Sequence, residues 1–130
     1  MSHCPRNTPW GQADCIWPVI TGHVWRLSTP GHGGFFVDKE YNRLIPRQFR
    51  EAHGWYEEDC AWAIPAFFLK GMLPTLDGVH PVTFDETVRA EKVIKDYFWR
   101  EYEAFTYCTL APEESRGKRA WLDGGHSPSD

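Results

Sequence analysis

The chain is short of several things, and each shortage excludes a class of protein. It has no apolar run near the roughly 20 residues needed to cross a bilayer, so no membrane span is expected. Its first residues, Met1-Ser2-His3-Cys4-Pro5-Arg6, contain no apolar core of a signal peptide, and an address in the cytoplasm is expected. Its four cysteines, at 4, 15, 60 and 108, form no closely spaced pair, which argues against a zinc ribbon. In a reducing compartment they are expected as free thiols. Basic residues are in deficit: 14 Lys and Arg against 18 Asp and Glu, a net charge of −4. Phosphate neutralisation needs a basic stripe, so direct nucleic-acid binding is not expected. Nor does a second histidine stand at ligand spacing from any other, and no cofactor or metal is assigned.

Aromatic residues are abundant instead: 7 Trp, 5 Tyr and 8 Phe in 130 residues. That length suits one domain, 1–130, with a real core, but a core this size struggles to hide so many rings. Some aromatic surface for a protein partner is the consequence expected. Charge is also unevenly spread. Residues 1–53 carry 6 basic against 4 acidic side chains, and residues 54–130 carry 8 against 14. The acidic half suits contact with a basic protein surface, or simply keeps the chain in solution.

Residues 1–15 are polar and turn-rich and read as an irregular lead-in that Trp10 pins to the body. The folded body is expected over 16–110. Val19-Ile20, Val24-Trp25-Arg26-Leu27 and Phe35-Phe36-Val37 are β-branched and aromatic runs separated by Thr21-Gly22-His23 and by Ser28 to Gly34, the pattern of a three-stranded antiparallel meander. Asp38-Lys39-Glu40 leads out of it. A short helix is expected from Ile45, with Pro46 in its first turn and Gly54 as its stop. A second is expected to open at Asp59 to Ala63, where Glu57, Glu58 and Asp59 would face the positive end of its dipole and Pro65 would limit it. Gly71 to Pro81 reads as a loop. Thr83 and Glu86 have capping-box spacing, and apolar residues recur at helical intervals to Tyr107, so one helix of about 23 residues, roughly 35 Å, is expected from Asp85. The composition beyond Pro112 is tail-like, Trp121 apart, and 123–130 is expected to be disordered. The fold class is therefore α+β: a small antiparallel sheet of about three strands packed by a long C-terminal helix and one or two short ones.

Two segments concentrate the chemistry. In Thr29-Pro30-Gly31-His32-Gly33-Gly34 the glycines are expected to permit positive φ and leave the imidazole approachable. In Trp55-Tyr56-Glu57-Glu58-Asp59-Cys60-Ala61-Trp62 three carboxylates adjoin a thiol among large aromatics. One reading makes His32 with Glu57, Glu58 or Asp59 the centre of a small hydrolase or metal-dependent enzyme, which requires hydrogen-bond contact in a cleft. The bland reading makes the glycine turn a hairpin and the carboxylates a helix entrance. A nucleophilic Cys60 is disfavoured, because three preceding carboxylates oppose the thiolate. A third reading uses the block as a binding surface: Trp55, Tyr56, Glu57, Glu58 and Asp59, with Glu101 and Glu103 of the long helix. Reversing Glu57 and Glu58 to Lys is then expected to abolish binding and spare the fold.

Over residues 22–70 the chain resembles an uncharacterised family of small proteins from plasmids, phages and integrated elements of bacteria. Those proteins share a Thr-Pro-x-His-Gly-Gly turn before an apolar strand and a Gly-Trp-Tyr-Glu-Glu-Asp-x-x-Trp-Ala block, here Thr29–Phe35 and Gly54–Ala63. The resemblance implies a mobile-element protein in a bacterial cytoplasm. By analogy alone it implies an anti-CRISPR-like inhibitor, without enzymatic activity, of a defence or nucleic-acid-handling complex.

Overall fold

The structure, a computed structural model, describes residues 3–70 and 84–126. The fold is α+β. A two-stranded hairpin, β1 (Asn7–Thr8) and β2 (Gly11–Gln12), precedes a four-stranded antiparallel sheet of β3 (Cys15–Ile20), β4 (Val24–Ser28), β5 (Gly33–Val37) and β6 (Trp55–Glu57), in the order β3-β4-β5-β6. Helices α1 (Lys39–Asn42) and α2 (Ala63–Phe68) flank β6 in sequence. Helices α3 (Phe84–Tyr97), α4 (Trp99–Thr106) and α5 (Arg116–Asp123) follow.

Alternation along the strands separates two faces. The register that pairs Val24 with Val37 and Phe35 with Tyr56 places these four on the inner face, buried with Ile45, Phe49, Ala63, Ile64, Leu69, Ala90 and Ile94. The outer face carries the row Trp25–Phe36–Trp55, with ring centroids 5.9 and 4.6 Å apart, and Trp10 closes on Trp55 edge-on at 5.7 Å.

The three expected strands form β3 to β5. The fourth, β6, is a correction, since Trp55-Tyr56-Glu57 is an edge strand, whereas the second expected helix does open within 59–63, as α2 at Ala63. Gly54, at φ +84°, turns the chain into it, and Val37 N–H donates to the Gly54 carbonyl. The lead-in is also more ordered than expected, since residues 7–12 form a hairpin. The helix expected from Ile45 is a run of turns instead. Arg50 donates from Nε and Nη2 to the Ile45 carbonyl, and Asn42 reaches the Glu51 carbonyl, so side chains take the places of helical hydrogen bonds. The helix forms earlier, at α1, where Asp38 caps the Tyr41 N–H.

Pro65 sits in the first turn of α2, where its missing N–H costs no intrahelical bond. The single long helix is two. Phe98 leaves helical geometry at φ −126°, ψ 40°, beside the place where α5 seats itself. A Cβ on Gly117 would lie 2.2 Å from the Asp96 carbonyl oxygen and 2.9 Å from the Trp99 indole. Thus the expected tail from Pro112 is a 3₁₀ turn and α5, held by the Asp96 carboxylate on the Arg116 N–H and by Trp121 against Trp99. The Gly71–Pro81 loop, the capping box at Thr83 and residues 127–130 lie outside the described residues. No described helix is long and apolar enough to cross a membrane.

Candidate functional site

The turn before β5 is closed by Thr29. Its hydroxyl accepts from the His32 N–H at 3.1 Å and donates to the His32 carbonyl at 2.9 Å, while its own N–H donates to the same carbonyl. Neither Gly31, Gly33 nor Gly34 adopts positive φ, contrary to expectation. Space, and not dihedral freedom, requires the glycine pair. A Cβ on Gly33 would lie 2.7 Å from the Leu27 carbonyl oxygen and 3.1 Å from the Glu58 carboxylate. One on Gly34 would lie 2.2 Å from the Tyr56 carbonyl oxygen and 2.7 Å from the Trp10 indole. Consecutive residues of a strand point to opposite faces, so Glu58 approaches one face of β5 and Trp10 the other.

The second block divides sharply. Tyr56 is fully buried; its hydroxyl donates to Asn42 Oδ1 at 2.6 Å and accepts from the Glu51 N–H at 3.0 Å. Burial pushes its phenol up to about 12, only partly offset by that N–H. Tyr56 therefore belongs to the core and is removed from the expected binding surface. Glu57 is committed to its own turn, accepting from the N–H groups of Asp59, Cys60 (3.0 Å) and Ala61 (2.8 Å). Partial burial works against its ionised form, but these donors and the Cys60 thiol outweigh it and hold the carboxyl below its ordinary value. Cys60 is pushed up to about 11 by burial, then by the same carboxylate, to which its thiol donates at 3.3 Å. A thiol so held is a poor nucleophile.

Glu58 and Asp59 are exposed and Trp55 is half-buried. His32 Nδ1 lies 3.9 Å from Glu58 Oε1, with both side chains about half exposed. That is ion-pair distance and beyond a hydrogen bond. Among the described residues only Glu58 comes within such reach of His32. The expected set of His32 with Glu57 and Asp59 is thus not assembled, since Glu57 faces its backbone donors. Glu101 is partly exposed on α4. Glu103 is spent internally: it accepts from Lys118 Nζ, whose side chain is 6% exposed, and from the Leu110 N–H at 2.7 Å. It too leaves the expected binding set.

One cluster was not foreseen. His23, in the β3–β4 turn, stacks on Tyr41 at 4.1 Å and places Nδ1 2.8 Å from Asp38 Oδ2 and 3.7 Å from Glu40 Oε2. Fifteen residues separate His23 from Asp38, so local spacing carries no signal. The hairpin register does: pairing Val24 with Val37 sets His23 across from Asp38.

The family described as Domain of unknown function (DUF7007) matches residues 3–122, and the chain belongs to it. No curated protein and no solved structure matches the chain.

Proposed function

We propose that the protein is a non-enzymatic binding protein, an anti-CRISPR-like inhibitor carried by a mobile element. On this reading it acts on a bacterial defence or nucleic-acid-handling complex, in the cytoplasm, through an acidic and aromatic surface that meets basic protein. The observation that carries the binding role is the division within the block. Tyr56 and Glu57 are consumed by core and turn, whereas Glu58 and Asp59 are exposed just past the end of edge strand β6, and Trp55 and Trp10 lie half-buried on the sheet's outer face. A strand edge with exposed carboxylates at its end and half-buried indoles on its outer face combines charge steering with aromatic anchors, a combination suited to a protein interface. The mobile-element setting and the inhibitory role rest on the resemblance over residues 22–70 alone.

The test is a pulldown from bacterial lysate comparing wild type with Glu58→Lys/Asp59→Lys, alongside thermal melts. Glu57 is left intact because it caps its turn. The expected result is a specific partner, lost in the double variant at unchanged melting temperature. Equal capture by both proteins would overturn the proposed surface.

A further inference from the structure

We propose that His23, Asp38 and Glu40 form a binding site for one first-row divalent cation. The three side chains come from two chain segments, the β3–β4 turn and the start of α1, and each offers one ligand atom within 4.8 Å of the other two. Ligands sharing one ion at roughly 2.0–2.2 Å stand about 3–3.5 Å apart. The separations of 2.8 and 3.7 Å from His23 Nδ1 to the two carboxylates bracket that spacing, so the ion enters with small side-chain shifts.

Two of the ligands are already positioned. Asp38 is 2% exposed; its Oδ1 is held by the Tyr41 N–H at 2.9 Å, which leaves Oδ2 facing the imidazole. The imidazole plane is fixed by stacking on Tyr41, with 12° between the rings. The Asp38 N–H also donates to the His23 carbonyl at 2.8 Å, tying the two segments together. Glu40 is the free arm, with its side chain 69% exposed, and it can swing to close the third position while water fills the rest.

The donor set selects the ion. One imidazole nitrogen with two carboxylate oxygens and no thiolate suits Mn²⁺ or Zn²⁺ over soft ions. To coordinate, Nδ1 presents its lone pair while the neutral ring keeps its one proton on Nε2, and the cation takes the place between Nδ1 and Oδ2. A net charge near zero results from two carboxylates and a dication, with the imidazole neutral.

Isothermal titration of the full chain with MnCl₂ and, separately, ZnCl₂ tests the site. Manganese is included because the four cysteines offer zinc other ligands, and Mn²⁺ has little affinity for thiols. The expected result is a single saturable site in wild type. Glu40→Ala should weaken it at least about tenfold, the loss that removing even an outer-shell partner typically produces, at unchanged circular dichroism and melting temperature. His23→Ala should abolish it. Absence of saturable Mn²⁺ and Zn²⁺ binding in wild type overturns the proposal, and leaves His23 as the partner of two carboxylates only. Equal binding by wild type and Glu40→Ala also overturns it, since the ion then sits elsewhere.

Discussion

The Trp10 indole lies over Gly34, 2.7 Å from where a Cβ on that residue would stand. On the same side of the strand a Cβ would also press within 2.2 Å of the Tyr56 carbonyl oxygen, which is backbone and cannot rotate away. Gly34 thus serves two approaches at once: the N-terminal hairpin on the outer face and edge strand β6 beside it.

Gly34→Ala is therefore expected to destabilise the fold by about 2–3 kcal/mol, in the upper range for overpacking. Denaturant unfolding measures it. Shaving the indole separates the two approaches. Trp10→Ala in the Gly34→Ala background removes one clash and leaves the Tyr56 carbonyl, so it should restore little of the loss. Full restoration would mean that the indole alone demands glycine here.

The carboxylates of the second block should differ just as plainly. Glu57→Ala strips the acceptor from three N–H groups of the turn that leads to α2. A loss of about 1–2 kcal/mol is expected, as for removal of a strong helix cap. Glu58→Ala, exposed and 3.9 Å from His32, should stay within about 0.5 kcal/mol of wild type. The sign of the acid dependence follows from the lowered pKa. The folded state prefers ionised Glu57, so its contribution is complete above the ordinary value of 4.5 and fades as pH falls through the depressed one. Chemical denaturation of wild type and Glu57→Ala at acid pH should therefore converge. A gap that does not narrow would remove Glu57 as the cap.

How legible was this in the sequence? Strands β3 to β5 were, because β-branched and aromatic runs between turn residues specify a meander locally. Strand β6 was not. It has three residues, and its acidic continuation suits a helix start equally well; only pairing with β5 decides it. The break at Phe98 was hidden for a related reason, since no Pro or Gly marks it and the feature beside it, α5 against Asp96 and Trp99, comes from a segment whose composition reads as tail. At the site, Glu58 beside His32 was within the expected set, but which carboxylate faces outward depends on the turn that Glu57 caps. The fates of Tyr56 and Glu103 depend on partners at Asn42 and Lys118, 14 and 15 residues away. Tertiary contact overrides local pattern at each of these places.

Tyr56 gives the sharpest reading of that override, because its hydroxyl is the join between β6 and the turns after α1. Phenylalanine at this position keeps the buried ring but orphans Asn42 Oδ1 and the Glu51 N–H. Leaving buried polar groups without partners should cost about 1–3 kcal/mol. The alkaline limb offers a second, independent check. Burial raises the folded phenol from 10.0 to about 12, so the folded state holds its proton more tightly than the unfolded chain does. That contribution is complete below pH 10.0 and is lost as pH rises from there towards 12. Wild type should therefore lose stability more steeply than Tyr56→Phe across this window, with the other tyrosines and the lysines titrating alike in both. Parallel alkaline limbs in urea unfolding would show that the Tyr56 hydroxyl reaches solvent, and the join between Tyr56 and Asn42 would fall with it.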